Sequence, residues 1–220
     1  MGFPRSGEAM NTSAPKILIV GPKEADRTIA LAHGAGAPMD TPFMNAFALG
    51  LAARGFRVAR FEFPYMADRR QHGTKRPPNR EPVLRETWLK VVATLGDNHL
   101  VIGGKSMGGR IASLIADEPA VAGLICLGYP FHPTGKSDQL RIAHLQHIKT
   151  PTLIVQGERD PFGSRAEVSA YKLASTVRIV WMKDGDHSLR PRKKSGVTEE
   201  DNWQAAIEEI DQFVARSHRA

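Results

Sequence analysis

The stretch Val101-Ile-Gly-Gly-Lys-Ser-Met-Gly-Gly-Arg110 sets Ser106 between an apolar, strand-like run and a helix-like segment. Glycines stand two positions before and two positions after this serine. A serine at a sharp strand-to-helix turn has a strained backbone, so these two neighbouring positions need minimal side chains. The turn projects the hydroxyl above the carboxyl edge of a sheet and starts a helix whose amides favour an anion. The pattern therefore predicts that Ser106 is a nucleophile.

A glycine-rich turn that binds phosphate is the alternative interpretation of the same stretch. A phosphate-binding P-loop requires the spacing Gly-x-x-x-x-Gly-Lys-[Ser/Thr]. That spacing is absent from this stretch. The strand, turn and helix around Ser106 therefore favour the nucleophile.

Strand-like and helix-like segments alternate along the rest of the chain. Runs rich in β-formers predict strands at residues 16–20, 28–32, 56–63, 99–103, 121–127, 152–156 and 178–182. Helical periodicity predicts helices at residues 42–54, 81–95, 106–116, 138–146, 165–174 and 198–215, with a loop over 64–80. This alternation is typical of an α/β fold with a mostly parallel sheet covered by helices on both faces. We expect a flexible tail over residues 1–15 and one α/β domain over residues 16–220.

The composition of the 220 residues is ordinary for a soluble globular protein. Cys126 is the single cysteine, so the chain forms no intramolecular disulfide, which fits a reducing compartment. No apolar run approaches the ~20 residues that span a bilayer, and the first residues lack the apolar core of a signal peptide. We expect a cytoplasmic protein with no membrane partner, and an inert core position for Cys126.

The net charge is +7, with basic clusters between residues 54 and 90 and over residues 190–194. Basic proteins often bind nucleic acid, but neither cluster has the interleaved aromatic residues of a stacking platform. No zinc-finger or helix-turn-helix spacing is present either. The sequence therefore predicts no nucleic-acid partner. Solvated surface is one interpretation of the clusters, and attraction of an anionic substrate is the other.

Three further motifs make the chain similar to the α/β-hydrolase superfamily over nearly all of its length after residue 15. They are His33-Gly-Ala-Gly after an early strand, Arg60-Phe-Glu-Phe-Pro-Tyr65, and Arg76-Pro-Pro78. Together with the Ser106 turn they resemble a subgroup of small dienelactone-hydrolase-like serine hydrolases. Dienelactone hydrolases have a cysteine nucleophile where this chain has serine. The resemblance therefore implies the fold and the machinery rather than that particular activity.

The resemblance also implies the rest of a catalytic site. The family's acid falls just past an apolar strand, where Asp160 is the first choice and Glu158 the second. The family's histidine falls at His187, past the next strand, which gives the chain order serine, aspartate, histidine. The oxyanion loop of the family implies that the backbone amides of Ala35 and Met107 bind the oxyanion.

These parts imply acyl transfer through a covalent intermediate. His187 takes the proton from Ser106 as the serine attacks a carbonyl, and Asp160 orients the imidazole and stabilises its charged form. The expected partner is a small-molecule acyl substrate, an ester or a thioester, and no cofactor is expected. His144 and His147 lack further ligands at suitable spacing, so no metal is expected. A non-catalytic binding or scaffold protein that kept the fold is the alternative function.

An open, shallow pocket is expected because residues 128–150 are too few for a cap domain. Aromatic residues that follow strands at the same edge of the sheet are candidates to line it: Tyr65, Phe131 and Phe162. Arginines from the basic clusters are candidates for a positive rim that steers an anionic acyl substrate: Arg69, Arg70 and Arg192.

Overall fold

A computed structural model describes residues 14–96 and 99–216. Most of the predicted tail, residues 1–13, therefore lies outside the described residues. Within these ranges the strands are β1 (Ile17–Val20), β2 (Thr28–Ala32), β3 (Arg57–Phe61), β4 (Leu100–Lys105), β5 (Gly123–Leu127), β6 (Thr152–Gly157) and β7 (Val177–Met182). The α-helices are α1 (Pro42–Ala52), α2 (Pro64–His72), α3 (Glu81–Leu95), α4 (Met107–Ser113), α5 (Arg165–Val168) and α6 (Glu199–Arg216).

The strands form one sheet in the order β1-β3-β2-β4-β5-β6-β7. Strand β1 runs antiparallel to β3, and every other neighbouring pair is parallel. Parallel neighbours require crossover connections, and helices lie in most of these connections. The predicted α/β fold with a mostly parallel sheet is therefore confirmed.

Helices cover both faces of the sheet. Successive side chains of each strand point to opposite faces, so both faces carry apolar side chains that the helices cover. On β4, the side chain of Val101 belongs to the core cluster that contains residues of α1 and α6. The next side chain, Ile102, belongs to the cluster that contains residues of α3 and α4. The apolar face of α6 lies in the first of these clusters, with Ile207, Ile210 and Val214 buried. Along the described ranges, none of the helices is long and apolar enough to cross a membrane.

The predicted loop over residues 64–80 is wrong in its first half, which forms α2. Pro64 occupies the first turn of this helix, where its missing N–H leaves no bond unmade. Gly73 ends the helix in the left-handed conformation, with φ 71°. The buried residues of α2 are Tyr65 and Met66. Two adjacent buried residues give no helical periodicity, which is why the sequence pattern does not show this helix.

Two other predicted helices shrink to about one turn in the structure. The helix predicted over residues 138–146 reduces to a single 3₁₀ turn, His144–Gln146. The Arg141 backbone instead pairs with the preceding loop, and its carbonyl accepts the Tyr129 hydroxyl at 2.8 Å. The helix predicted over residues 165–174 is the short α5. Tertiary hydrogen bonds therefore replace helical ones in this part of the chain.

The carboxyl ends of the parallel strands gather at one edge of the sheet, and four functional segments leave from there. The loop after β2 begins at His33, and Ser106 directly follows β4. Asp160 follows β6, and His187 follows β7. Residues 128–151, between β5 and β6, are all described and contain turns and one 3₁₀ helix, so this connection forms no cap domain.

Candidate active site

The turn between β4 and α4 holds Ser106 in a backbone conformation that few non-glycine residues adopt, with φ 51° and ψ −116°. Its N–H donates to the Leu127 carbonyl at 2.9 Å, which ties the turn to β5. A Cβ added at Gly104 would lie 2.2 Å from the Ala32 carbonyl oxygen, and one added at Gly108 would lie 2.5 Å from that oxygen. The two glycines are therefore required by close packing of the turn against β2 as well as by its strain.

The structure brings Ser106, His187 and Asp160 into one hydrogen-bonded row. The serine Oγ lies 2.8 Å from Nε2 of His187, and Nδ1 of the same ring lies 2.8 Å from Oδ2 of Asp160. A carboxylate only accepts hydrogen bonds, so Nδ1–H donates to Asp160. Nε2 of the neutral ring then accepts the serine hydroxyl. This arrangement can deprotonate the hydroxyl and stabilise the imidazolium that results.

Asp160 is completely buried, and three donors hold its carboxylate. Oδ2 accepts Nε2 of Gln156 at 2.9 Å in addition to the His187 ring, and Oδ1 accepts the Phe162 N–H at 2.9 Å. A buried carboxylate is favourable only when its oxygens are satisfied in this way. Sequence reasoning misses Gln156, although a polar residue inside the apolar strand β6 is a visible signal.

Two other carboxylates near the site turn away from the histidine. Glu158, the second candidate for the acid, pairs with Arg165 at 2.9 Å and accepts the Asp184 N–H at 2.9 Å. Asp186 accepts the Ser188 N–H at 2.8 Å within its own loop. Among the described residues, Asp160 is therefore the carboxylate that contacts the His187 ring.

Of the three aromatic residues predicted to line the pocket, Phe162 contacts the hydrogen-bonded row. Its ring centroid lies 4.4 Å from that of His187. Phe131 has no exposed surface and packs edge-on against Tyr129 in the core. The backbone at Gly163 lies so close to the Phe131 ring that an added Cβ would be 2.6 Å from it. The prediction that Phe131 lines the pocket is therefore wrong, because the loop after β6 covers its ring.

The loop after β2 is held by His33, which is fully buried. Its Nδ1–H donates to the Gly34 carbonyl at 2.7 Å, and its Nε2 accepts the Phe63 N–H at 3.1 Å. Burial lowers the pKa of His33, which favours the neutral ring that can donate from one nitrogen and accept at the other. The C=O and N–H of a trans peptide point in opposite directions. Holding the Gly34 carbonyl therefore also fixes the direction of the Ala35 N–H.

Tyr65 supports the same loop from α2. Its hydroxyl donates to the Ala35 carbonyl at 2.8 Å, and its side chain is buried. The prediction that Tyr65 lines the pocket is corrected, because this side chain lies against the loop rather than at an open surface. A Cβ added at Gly34 would lie 3.7 Å from Cβ of Ser106, so the loop runs directly beside the serine. The amide of Met107 lies next to the serine as well, in the first turn of α4, where helix amides have no intrahelical partner.

Two charged side chains at the end of β3 hold the residues that follow the loop after β2. These two side chains are assigned no role in the sequence analysis. Arg60, which is buried, donates to the Met39 carbonyl at 3.1 Å. Glu62, also buried, accepts the Met39 N–H at 3.3 Å and pairs with Arg70 at 2.6 Å. Arg70 makes a second ion pair with Asp40 at 2.8 Å. The prediction that Arg70 belongs to a free positive rim is corrected, because two carboxylates of the protein already bind it.

Arg192 is also bound by a carboxylate of the protein. Its Nε lies 3.0 Å from both carboxylate oxygens of Asp184, and the guanidinium holds the pKa of that carboxyl well below its usual range. This ion pair offsets the charge that Arg192 was predicted to offer a substrate. Arg69, at the end of α2, donates instead to the Gly36 carbonyl at 3.2 Å. In the described part of the chain Arg69 makes no ion pair with a carboxylate, and it lies beside the loop after β2.

The other candidate residues differ in burial: His144 is partly buried, His147 is exposed and Cys126 is buried. Nε2 of His144 lies 2.8 Å from the Ser113 hydroxyl. The ranges 14–96 and 99–216 contain no group of three or more metal-binding side chains. Cys126 is fully buried in β5, and burial raises the pKa of its thiol. The predicted core position of Cys126 is confirmed, and its thiol is a poor nucleophile there.

A groove with a volume of about 340 Å³ opens beside the His187 loop. Asp186 and Ser188, the neighbours of His187 in the chain, form one wall. Phe43, in the first turn of α1, and Trp203 of α6 form the other, with ring centroids 5.6 Å apart. Trp203 is only partly buried.

A strained serine turn at the carboxyl end of a mostly parallel sheet, followed along the chain by an aspartate and then a histidine, defines the α/β-hydrolase class. The family model for the alpha/beta hydrolase domain matches residues 25–215, so the chain belongs to this family. The resemblance inferred from the sequence motifs is therefore confirmed.

Solved structures share this fold. The dienelactone hydrolase from Anabaena variabilis aligns with a TM-score of 0.70 and 20% identity over 94% of each chain. A serine hydrolase homologue from Coxiella burnetii aligns with a TM-score of 0.65 and 21% identity, over 91% of this chain and 89% of that one. Est1E from Butyrivibrio proteoclasticus aligns with a TM-score of 0.66 and 15% identity, over 93% of this chain and 94% of that one. At such identities the likeness establishes the fold.

Proposed function

We propose that the protein is a serine hydrolase that cleaves an ester or thioester bond of a small acyl substrate. The observation that carries the proposal is the unbroken row from the Ser106 hydroxyl through the His187 ring to the buried Asp160 carboxylate, with 2.8 Å at each contact. Structural contacts alone do not require a serine held in a strained conformation at this point. Strained residues are frequent at active sites, where the surrounding packing maintains them.

In the first half of the reaction, Ser106 attacks the acyl carbonyl as His187 removes the hydroxyl proton. The negative charge of Asp160 stabilises the imidazolium that forms. The carbonyl oxygen becomes an oxyanion, which the amides of Ala35 and Met107 bind in this proposal. Each such donor typically contributes about 3–4 kcal/mol to transition-state stabilisation. The imidazolium then protonates the leaving alcohol or thiol, which leaves an acyl-enzyme on the serine.

In the second half, water takes the position of the leaving group. His187 removes a proton from this water, the resulting hydroxide attacks the acyl carbon, and Ser106 leaves with the proton returned by the imidazolium. The products are the free acid and the regenerated serine. The cycle needs no group beyond the side chains and amides of the site.

The open edge of the sheet favours small or protruding substrates. Residues 128–151 form no cap, and the groove that Phe43 and Trp203 border opposite Asp186 and Ser188 has room for a short acyl or alcohol group. An esterase domain from Rhodothermus marinus and a thioesterase domain from a curacin biosynthetic pathway share the fold. Both bond types therefore stay in the proposal. Preference for an anionic acyl group also stays a proposal, now resting on Arg69.

Labelling with a fluorophosphonate tests the proposal, because this probe reacts with serines that are activated for nucleophilic attack. We expect the wild type to be labelled at Ser106 and the Ser106→Ala variant to be unlabelled. Ser113→Ala is the matched control, since Ser113 also contacts a histidine ring at 2.8 Å but lies in the core. It should be labelled like the wild type.

A panel of short nitrophenyl esters and acyl thioesters completes the test. Hydrolysis by the wild type and none by Ser106→Ala supports the hydrolase. A folded wild type that is inert toward the probe and the whole panel supports the alternative, a binding or scaffold protein with this fold.

A further inference from the structure

A lysine side chain joins the nucleophile turn to the histidine loop. Lys105 is the last residue of β4 and immediately precedes Ser106. Its ammonium donates a hydrogen bond to the backbone carbonyl of His187. The same nitrogen lies 5.4 Å from the centre of the Phe43 ring, within the range of a cation–π contact. The nucleophile turn and the histidine loop are thus connected twice, once by the Ser106–His187 hydrogen bond and once by Lys105.

The neighbouring strand leaves the space that this contact needs. Gly128, just after β5, has φ 67°, a conformation that favours glycine. A Cβ added there would lie 2.9 Å from the Lys105 nitrogen and 2.7 Å from the His187 carbonyl oxygen. It would also lie 3.3 Å from Nδ1 of the His187 ring. Any side chain at residue 128 would therefore displace the lysine, the histidine or both.

Filling this space with a lysine costs folding free energy. Burial lowers the pKa of Lys105 to about 8, against the opposing attraction of the carboxylates of Asp160 and Asp186. A partly buried ammonium weakens the folded state relative to an apolar side chain of similar volume. A residue kept for stability alone would not carry this charge. Its contact with the histidine backbone therefore points to a role in the site.

We propose that Lys105 is a positioning residue that holds His187 between Ser106 and Asp160. The inference rests on the proposed function. The position of the His187 ring, however, can be measured without any substrate turnover. The ammonium is bonded to the His187 carbonyl, and the serine hydroxyl has its own partner in Nε2 of the ring. Lys105 therefore acts on the imidazole through the backbone of His187. It does not itself deprotonate the serine.

The test compares Lys105→Met with the wild type and with Lys136→Met, a matched control at an exposed lysine. Methionine keeps the length and volume of the lysine stem but donates no hydrogen bond. A misplaced catalytic group can cost up to about 100-fold in rate, so we expect fluorophosphonate labelling of Lys105→Met to slow by about 10- to 100-fold. For an ester that the wild type hydrolyses, kcat should fall while KM changes little.

The spectroscopic readout is the pair of ring ¹⁵N resonances of His187, assigned by their absence from His187→Gln. In Lys105→Met these resonances should move away from the pattern of a ring that donates to a carboxylate and accepts a hydroxyl. The midpoint of thermal unfolding should stay the same or rise, because a buried charge is removed. Lys105→Gln, whose amide is too short to reach the carbonyl, is a second variant and should behave alike.

Three outcomes would overturn the inference. One is a folded Lys105→Met with wild-type labelling and wild-type ring resonances. Another is a loss of labelling that merely follows a loss of folded protein in both variants. The third is complete inactivity of the folded variants with unchanged ring resonances, which would make Lys105 the base. If the wild type itself is inert, the proposed function fails, and the ring resonances still decide whether Lys105 positions His187.

Discussion

The Tyr65 hydroxyl donates a hydrogen bond to the Ala35 carbonyl at 2.8 Å. This contact connects α2, which the sequence pattern does not reveal, to the loop that is proposed to bind the oxyanion. Together with the bond from His33 to the Gly34 carbonyl, it holds two successive peptide groups of that loop. An oxyanion site works because its donors are already oriented before charge develops. Tyr65 therefore contributes to the site from beneath the loop.

Replacing Tyr65 by phenylalanine should lower kcat by about 3- to 10-fold, the value of one neutral hydrogen bond. The KM should change little, since the loop is proposed to bind the transition state more tightly than the substrate. Steady-state kinetics on an ester that the wild type hydrolyses measures both. Tyr129→Phe is the control, because its hydroxyl binds the Arg141 carbonyl, away from the loop. Equal losses in the two variants would contradict the assignment.

Replacing Asp160 by asparagine should lower kcat by about 10³- to 10⁴-fold with the fold intact. The amide cannot stabilise the imidazolium, and its NH₂ group favours the wrong tautomer of His187. Ester hydrolysis together with circular dichroism checks the expectation. Glu158→Gln is the matched control, since that carboxylate pairs with Arg165 instead of the histidine. A larger loss in Glu158→Gln than in Asp160→Asn would exchange the two roles.

Replacing Arg69 by glutamine should raise the KM for an anionic ester by about 2- to 5-fold at low salt, the range of an exposed charge pair. The effect should shrink as salt is added, because exposed charges are screened. A neutral ester of the same size should show no change. Arg192→Gln should have a smaller effect, since Asp184 already offsets that charge. Identical changes for both esters would remove the anionic preference from the proposal.

Acid should destabilise the fold through His144. Burial, with the nearby Arg110 charge, lowers the pKa of His144 from 6.5 to about 4. The unfolded chain then binds this proton more readily than the folded one. The contribution of His144 to stability is therefore full above pH 6.5 and is lost as the pH falls through about 4. Urea unfolding between these pH values should show a smaller decline for His144→Gln. Parallel curves for the two proteins would refute the assignment.

Much of this architecture could be predicted because it depends on local sequence patterns. The apolar strand, the two glycines around Ser106 and the helix that follows are adjacent in the chain, so backbone strain and packing restrict them together. The resemblance to the α/β-hydrolase family adds the order of Ser106, Asp160 and His187 along a repeated strand–helix pattern. Parallel strands place their carboxyl ends at one edge, so that order predicts a common location.

The supporting contacts could not be predicted, because they join residues far apart in the chain. Nothing near Gln156 shows that its amide meets Asp160, and nothing near Lys105 shows that its ammonium meets a carbonyl 82 residues later. Phe131 looks like a pocket residue by position, but the loop at Gly163 covers it. Which aromatic ring is open and which charge is already paired depends on how loops pack.

The sequence by itself therefore determined the class of fold and the strained serine turn, and its resemblance to the α/β-hydrolase family implied the aspartate and the histidine. The spacing of the glycines around the serine follows from backbone geometry, which acts over a few residues. Only the tertiary structure decided which side chains hold those groups, as Tyr65, Gln156 and Lys105 do, and which arginines remain unpaired. Such contacts are decided by burial and by the geometry of hydrogen bonds between distant segments, and those exist only once the sheet has assembled.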